Sequence, residues 1–399
     1  MALNHLVCRV CDNTRDNVRY EAREMMYGLR ERFMYFQCGH CQCLQIEEFP
    51  AELGKFYPTD YDGYKPPKPY KGLFGLLQKL RHQAALGIKQ NYAPFFEAIY
   101  PARYYQFFPK SALNQNSKIL DVGCGRGSFL YPLYELGITH MQGIDPFIPS
   151  NIEYPNGYRI EKKYIHEVTG CWDAILYNHA FEHVPDPLEN LLAVERLLTR
   201  QGTCILRIPT VSSYAWKHYR TDWFQLDAPR HFYLHSVKSL GILAEQANLK
   251  IIDVVYDSTA AQFKYSESYQ KDIAMNEMPP RPFSAGLLKE LLWRRQARKL
   301  NRENRGDQAI FFLKKKQESL ASRERLLFLS PNSHHSVNDW FRFELIIFYL
   351  AVGNSTPQSS RAARFAYRFR RSFRKNTSPT ASIFGRLKVW VTFGARFFF

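Results

Sequence analysis

Several absences narrow what this 399-residue chain is. Its first residues, Met-Ala-Leu-Asn-His-Leu-Val-Cys, have no basic stretch followed by a long apolar one, so no secretory signal is expected. No apolar run suffices for a bilayer span. The best candidate, residues 343–353, is about half the ~20 residues required and contains Glu344. A cytoplasmic protein is the expectation. Acid is missing from residues 357–399, which hold ten Lys or Arg and no Asp or Glu. Without that tail, 44 basic residues stand against 37 acidic ones, so only +7 of the net +17 belongs to the rest. The basic character therefore says little about the body of the chain. Cysteine is scarce beyond residue 43, because five of the eight lie before that point.

Those early cysteines are paired. Cys8-x-x-Cys11 and Cys38-x-x-Cys41 form two knuckles 26 residues apart. Each knuckle places two thiolates on one side of a tight turn, and two knuckles complete a tetrahedral metal site. The insert carries plausible hairpin strands at 18–20 and 33–36. So small a segment lacks a core, so bound metal would supply its folding energy. Without a secretion signal, structural zinc outranks disulfides. A redox pair is a competitor, as is ligation by His40 or Cys43. A connector rich in Tyr and Pro follows at 56–67 and reads as a linker that doubles as a lid. Residues 73–108 read as helices, with Leu73, Leu76, Leu77 and Leu80 as an apolar stripe.

The chain is organised around residues 118–127, Lys-Ile-Leu-Asp-Val-Gly-Cys-Gly-Arg-Gly. A short apolar strand runs into Gly123, Gly125 and Gly127, and apolar residues at helical spacing follow over 128–136. Strand, glycine turn and helix begin a nucleotide-binding α/β unit. The dinucleotide spacing Gly-x-Gly-x-x-Gly is absent. Asp121, just before the first glycine, would also repel a phosphate there. The turn suits a ligand with a positive or neutral group. Its pattern resembles the first motif of class I S-adenosylmethionine-dependent methyltransferases, Asp/Glu-x-Gly-x-Gly-x-Gly. That resemblance implies a seven-stranded Rossmann-like α/β sheet with an antiparallel last strand and S-adenosylmethionine as cofactor.

Asp145 closes a second strand 24 residues after Asp121 and is the expected ribose partner. A third strand is expected within 159–168 and a fourth over 172–177. The fourth runs into Asn178-His179-Ala180-Phe181-Glu182-His183-Val184-Pro185-Asp186-Pro187. Glu-His-Val-Pro-Asp-Pro resembles small-molecule methyltransferases of this class. Asn178 and Glu182 are placed at the cofactor and His183 is the candidate general base. A second reading has Glu182 and His183 only shaping the pocket and capping the next helix. A third has His179, Glu182 and His183 holding a divalent metal. Some quinone-pathway O-methyltransferases of similar sequence carry a carboxylate where this chain has His179, which puts Mg²⁺ in doubt. Strand five is expected over 202–209, followed by an aromatic, basic insertion at 214–235 that covers the substrate. Within it His231 is a second candidate base, with Arg230 as a cation beside it. Strands six and seven are expected at 249–256 and 306–313, with a helical excursion at 284–304 between them.

The resulting domain plan is a zinc ribbon-like module (1–50), linker, lid and helices (51–110), a methyltransferase domain (111–316) and a basic aromatic tail (317–399). The chain also resembles bacterial enzymes of polysaccharide and quinone clusters that carry such a cysteine module. The expected acceptor is a small molecule or a sugar-nucleotide or glycan precursor. The tail is a candidate for peripheral membrane contact. A zinc-ribbon nucleic-acid-binding protein, or an RNA methyltransferase, is the rival reading. Against it, strand four ends Asn-His-Ala-Phe and lacks the Asn/Asp-Pro-Pro-Tyr/Phe of enzymes that methylate base amino groups.

Overall fold

The insert between the cysteine pairs folds as the expected hairpin in this computed structural model. Strands β1 (Val18–Arg23) and β2 (Arg32–Gln37) pair antiparallel, from Val18 opposite Gln37 to Arg23 opposite Arg32. Strand β3 (Leu44–Ile46) continues this small sheet. The structure describes residues 6–58, 65–88, 91, 95–96, 102–279 and 283–316. Residues Met1–Gln317 make one compact unit. Residues 317–399 fall outside the described residues, and with them the reading of the basic tail as a peripheral membrane contact.

The large sheet grows from β4 (Ile119–Val122), whose four residues are all buried, as a strand covered on both faces requires. Its fellows are β5 (Met141–Ile144), β6 (Ile152–Glu153), β7 (Arg159–Glu161), β8 (Trp172–Asn178) and β9 (Leu198–Pro209). A two-residue strand, β10 (Tyr233–Leu234), joins the small sheet instead. Strands β11 (Leu249–Tyr256) and β12 (Gln308–Lys315) complete the large one. The order is β11-β12-β9-β8-β4-β5-β7-β6. Strands β7, β5, β4, β8 and β9 run parallel, and β12 is antiparallel to both its neighbours. Side chains alternate between the two faces of the sheet. Leu120, Ile175, Leu206 and Phe311 enter one core, and Ile119, Leu176, Ile205 and Ile310 the other.

Two expectations need correction, and a third gains a direction. The sheet has eight strands, because Ile152–Glu153 pairs antiparallel with β7 at the edge. A two-residue strand carries no periodicity to read. A tight turn at Gly157 (φ +91°), where its N–H donates to the Tyr154 carbonyl at 2.8 Å, brings it into place. After the glycine turn only Tyr131–Tyr134 is α-helical. Finally, helix Gly72–Ala85 forms with the expected apolar stripe, and that stripe faces outward. Leu73, Leu76 and Leu77 are 75%, 52% and 48% exposed.

Candidate active site

Parallel pairing puts Asp121 opposite Gly143 and Val122 opposite Ile144, so β4 and β5 end at the same edge of the sheet. Strand-end ligand sites in α/β sheets form at this edge. Gly123 (φ +67°) and Gly127 (φ +76°) occupy the left-handed region. A Cβ on Gly123 would stand 2.6 Å from the Ala180 Cβ, and one on Gly127 2.6 Å from Tyr158 Cε1. Both positions require glycine for conformation and for space. The Gly125 N–H donates to Asp145 Oδ2 at 2.8 Å, and the Phe147 N–H to Asp145 Oδ1 at 2.8 Å. Burial raises the Asp145 carboxyl, and these backbone donors oppose the rise. Asp121 is 1% exposed, and its Oδ2 has no hydrogen-bond partner. Burial, with nearby Asp145, pushes its carboxyl up to about 8. A cationic ligand group would relieve that unpaired oxygen. The donor set thus fits S-adenosylmethionine: an orphan carboxylate, a glycine cradle without room for side chains, and a second acid at the next strand end.

The other half of the site starts where β8 ends. His179 takes a left-handed conformation (φ +53°), and Phe181–His183 forms one turn of 3-10 helix. Asn178 Oδ1 accepts a hydrogen bond from Arg207 Nη1 at 3.0 Å. Glu182 is fully buried, and neither carboxylate oxygen has a well-formed hydrogen bond. His179 Nδ1 stands 3.4 Å from its Oε1, and His231 Nε2 3.9 Å. Burial alone would raise this carboxyl; His179, His231 and His183 outweigh it and hold Glu182 down at about 2.

His183 and His231 meet edge to face, with ring centroids 4.7 Å apart. His183 Nδ1 lies 2.8 Å from the Arg230 carbonyl, and His231 Nδ1 2.8 Å from the Gln225 carbonyl. A carbonyl only accepts, so each Nδ1 carries the hydrogen. In the neutral ring each Nε2 then keeps a lone pair. Burial, aided by His231, lowers the His183 imidazole to about 4, so it is neutral at pH 7. Glu182, His183 and His231 each offer a ligand atom within 4.8 Å of the others.

Arg230 does not face a substrate, contrary to its expected role. It is fully buried, pairing with Glu24 (Nη2 to Oε1, 3.0 Å) and Asp227 (Nε to Oδ2, 3.0 Å) and donating to the Phe56 carbonyl at 3.0 Å. Glu24 belongs to the hairpin region and also accepts the N–H groups of Met26, Tyr27 and Leu29. Further bonds run the same way. The Tyr35 hydroxyl donates to the His231 carbonyl at 2.8 Å, and β3 pairs with β10 two residues beyond His231. Tyr57, from the connector, sets its hydroxyl 3.2 Å from His183 Nδ1. Sequence reasoning missed Glu24, Asp227 and Tyr57 as site residues. The aromatic connector was the only hint of Tyr57, and nothing local marks the two acids.

The four thiols gather as expected. Cys8 Sγ is 3.5 Å from Cys41 Sγ, Cys11 Sγ is 3.6 Å from Cys38 Sγ, and all four lie within 4.8 Å of one another. Tetrahedral zinc with Zn–S near 2.3 Å requires sulfurs ~3.8 Å apart, so the set fits a structural zinc ion. Asp12 (φ +55°) and Gln42 (φ +63°) close the two knuckles in the left-handed region. The neighbouring Cys41 thiol lowers Cys8 to about 5, a thiolate ready for a cation. The competing ligands stand aside: His40 is exposed, and Cys43 Sγ lies 3.9 Å from His235 Nδ1.

The chain carries a methyltransferase-like domain with a cradle that fits S-adenosylmethionine. Residues 96–254 match the model of a family described as a methyltransferase domain. A tRNA U34 carboxymethyltransferase of Campylobacter fetus subsp. fetus is 24% identical over 193 residues, which cover 42% of this chain and 66% of that protein. Thus the match spans just under two thirds of the relative's length. Similar solved structures include a methyltransferase of Thermotoga maritima described as a possible histamine N-methyltransferase. It is 17% identical with TM-score 0.33, over 55% of this chain and 98% of that one. A methyltransferase of Archaeoglobus fulgidus is 18% identical with TM-score 0.34, over 56% and 99%. Among the described residues no helix is long and apolar enough to cross a membrane.

Proposed function

We propose that the whole chain transfers a methyl group from S-adenosylmethionine to a small-molecule or glycan-precursor acceptor, with His183 or His231 taking the acceptor's proton. The observation that carries this is the histidine pair: both Nδ1–H groups are pinned to carbonyls, and His231 Nε2 stands 3.9 Å from the buried Glu182 carboxylate. When bound, S-adenosylmethionine supplies a methyl group on a sulfonium centre. Asp121, Gly123, Gly125, Gly127 and Asp145 form its cradle, with Asn178 beside them. Glu182, held ionised, stabilises the imidazolium that forms when a histidine accepts the proton. Tyr57 orients His183 from the connector side. The reaction depends more on alignment than on strong acid or base, so a weakly basic but neutral His183 suffices. The cysteine module, with zinc, is structural, and the compartment we infer is the cytoplasm.

Calorimetry tests the cofactor: S-adenosylmethionine should bind, and NADH should not. Binding of NADH without S-adenosylmethionine would end this reading. A second reading, an RNA acceptor, is favoured by the likeness to the tRNA-modifying relative. Transfer of labelled methyl groups should be measured into sugar nucleotides, phenolic small molecules and total tRNA. Incorporation into tRNA alone would replace the small-molecule acceptor.

A further inference from the structure

Helix Gly72–Ala85 exposes the residues that a core helix would bury. Leu73, Phe74, Leu76 and Leu77 are 75%, 66%, 52% and 48% exposed. Leu73, Leu76, Leu77 and Leu80 follow helical spacing and share one face. The opposite face is fastened down. Gly75 and His82, two turns apart, are buried, and His82 Nε2 bonds the Tyr104 hydroxyl at 3.1 Å. The apolar face is therefore a fixed outward presentation.

Along the sequence the charge about this helix is basic, with Glu135 the acid that meets its approach at Tyr70. From residue 63 to residue 96 the chain carries Lys65, Lys68, Lys71, Lys79, Arg81 and Lys89 and no acid. Lys68 and Lys71 are exposed at the start of the helix. A helix with an apolar outward face flanked by lysines is the physical signature of one lying in the plane of an anionic lipid surface. Nucleic acid would use the lysines and leave the leucines in water. The segment leading into the helix adjoins the glycine turn. The Ser128 hydroxyl, next to Gly127, donates to the Lys65 carbonyl at 2.9 Å, and the Tyr70 N–H donates to Glu135 at 3.2 Å.

We propose that this helix docks the protein on an anionic lipid surface, with Leu73, Phe74, Leu76 and Leu77 entering the headgroup layer and Lys68 and Lys71 meeting lipid phosphates. The docking goes beyond the methyl-transfer reading and does not depend on the acceptor.

The test uses the full chain and vesicles of phosphatidylcholine, alone or with a quarter phosphatidylglycerol. Sedimentation should show binding to the anionic vesicles and little to the neutral ones. The variant L73Q/F74Q/L76Q/L77Q should bind the anionic vesicles at least about tenfold more weakly, with unchanged melting temperature and unchanged S-adenosylmethionine affinity. Hydrogen exchange on the unmodified chain should show residues 73–80 becoming protected when anionic vesicles are added, a local readout that the basic tail cannot mimic. Absence of that protection, or equal vesicle binding by the variant, overturns the proposal. So does a concentration-dependent dimer that the variant abolishes, because the face would then belong to a second copy. Failure of S-adenosylmethionine to bind the unmodified chain would strike the methyl-transfer reading and leave the vesicle result to be judged separately.

Discussion

The glycine turn and the histidine cluster lie in one domain but are built differently. The turn is local: Asp121 to Gly127 are consecutive, and their outside support is chiefly Asp145 at the neighbouring strand end. The cluster is assembled from distant chain. Its histidines come from 183 and 231, its carboxylate from 182, its flanking hydroxyl from Tyr57 and its buried braces from Glu24 and Tyr35. Cofactor and chemistry should therefore fail separately. Damage to the cysteine module should spoil the cluster and spare the turn.

The largest effect should follow loss of metal. Structural zinc contributes on the order of 10 kcal/mol to small modules. Cys8→Ser with Cys41→Ser, or chelation, should abolish methyl transfer while calorimetry still detects S-adenosylmethionine. Loss of both together would show that the two halves fail as one. Next is His183→Asn, which removes the Nε2 lone pair orientation set by the Arg230 carbonyl. Its kcat should fall ~10²- to 10⁴-fold, with cofactor affinity kept. If His231→Asn gives the larger loss, the base is His231.

Arg230→Met leaves Glu24 and Asp227 buried without their partner, which should cost about 3–5 kcal/mol in urea unfolding. Adding Glu24→Gln and Asp227→Asn should recover part of it. Absence of recovery would mean the buried charges are not the cause. The smallest effect concerns pH at the turn. The Asp121 carboxyl rises from an ordinary 3.8 to about 8, so the folded chain keeps a proton that the unfolded chain releases across that window. Its contribution to stability therefore falls as pH rises from 4 to 8. A cationic ligand prefers the ionised form, so S-adenosylmethionine affinity should rise with pH up to about 8, by at most ~1.4 kcal/mol per pH unit. Asp121→Asn should flatten that slope, and a slope that persists would place the titrating group elsewhere.

The sequence was most legible where signals are short-range. Strand β11 was expected at 249–256 and forms at Leu249–Tyr256, because a strand's alternation needs no partner to be read. The cysteine pairs were legible because two-residue spacing already fixes the turn. Arg230 was misread, since composition suggests that a cation in an aromatic insertion faces a substrate. Its actual partner Glu24 lies 206 residues away, and no local pattern announces such a pairing. The leucines of Gly72–Ala85 were read as a stripe, but periodicity says only that they share a face, not what the face meets.

The sequence by itself determined the strand, acid and glycine turn of the candidate cofactor cradle and the gathering of the four thiols that fit a metal ion. In both, groups close along the chain dictate their own geometry through φ, ψ and tight turns. The tertiary structure alone decided which ring nitrogens are pinned to carbonyls, that the histidines hold the buried Glu182 carboxyl below its ordinary range, and that the hairpin module braces the histidine loop. Those properties depend on burial and on hydrogen bonds between segments far apart in sequence, and both exist only once the sheet has closed around them.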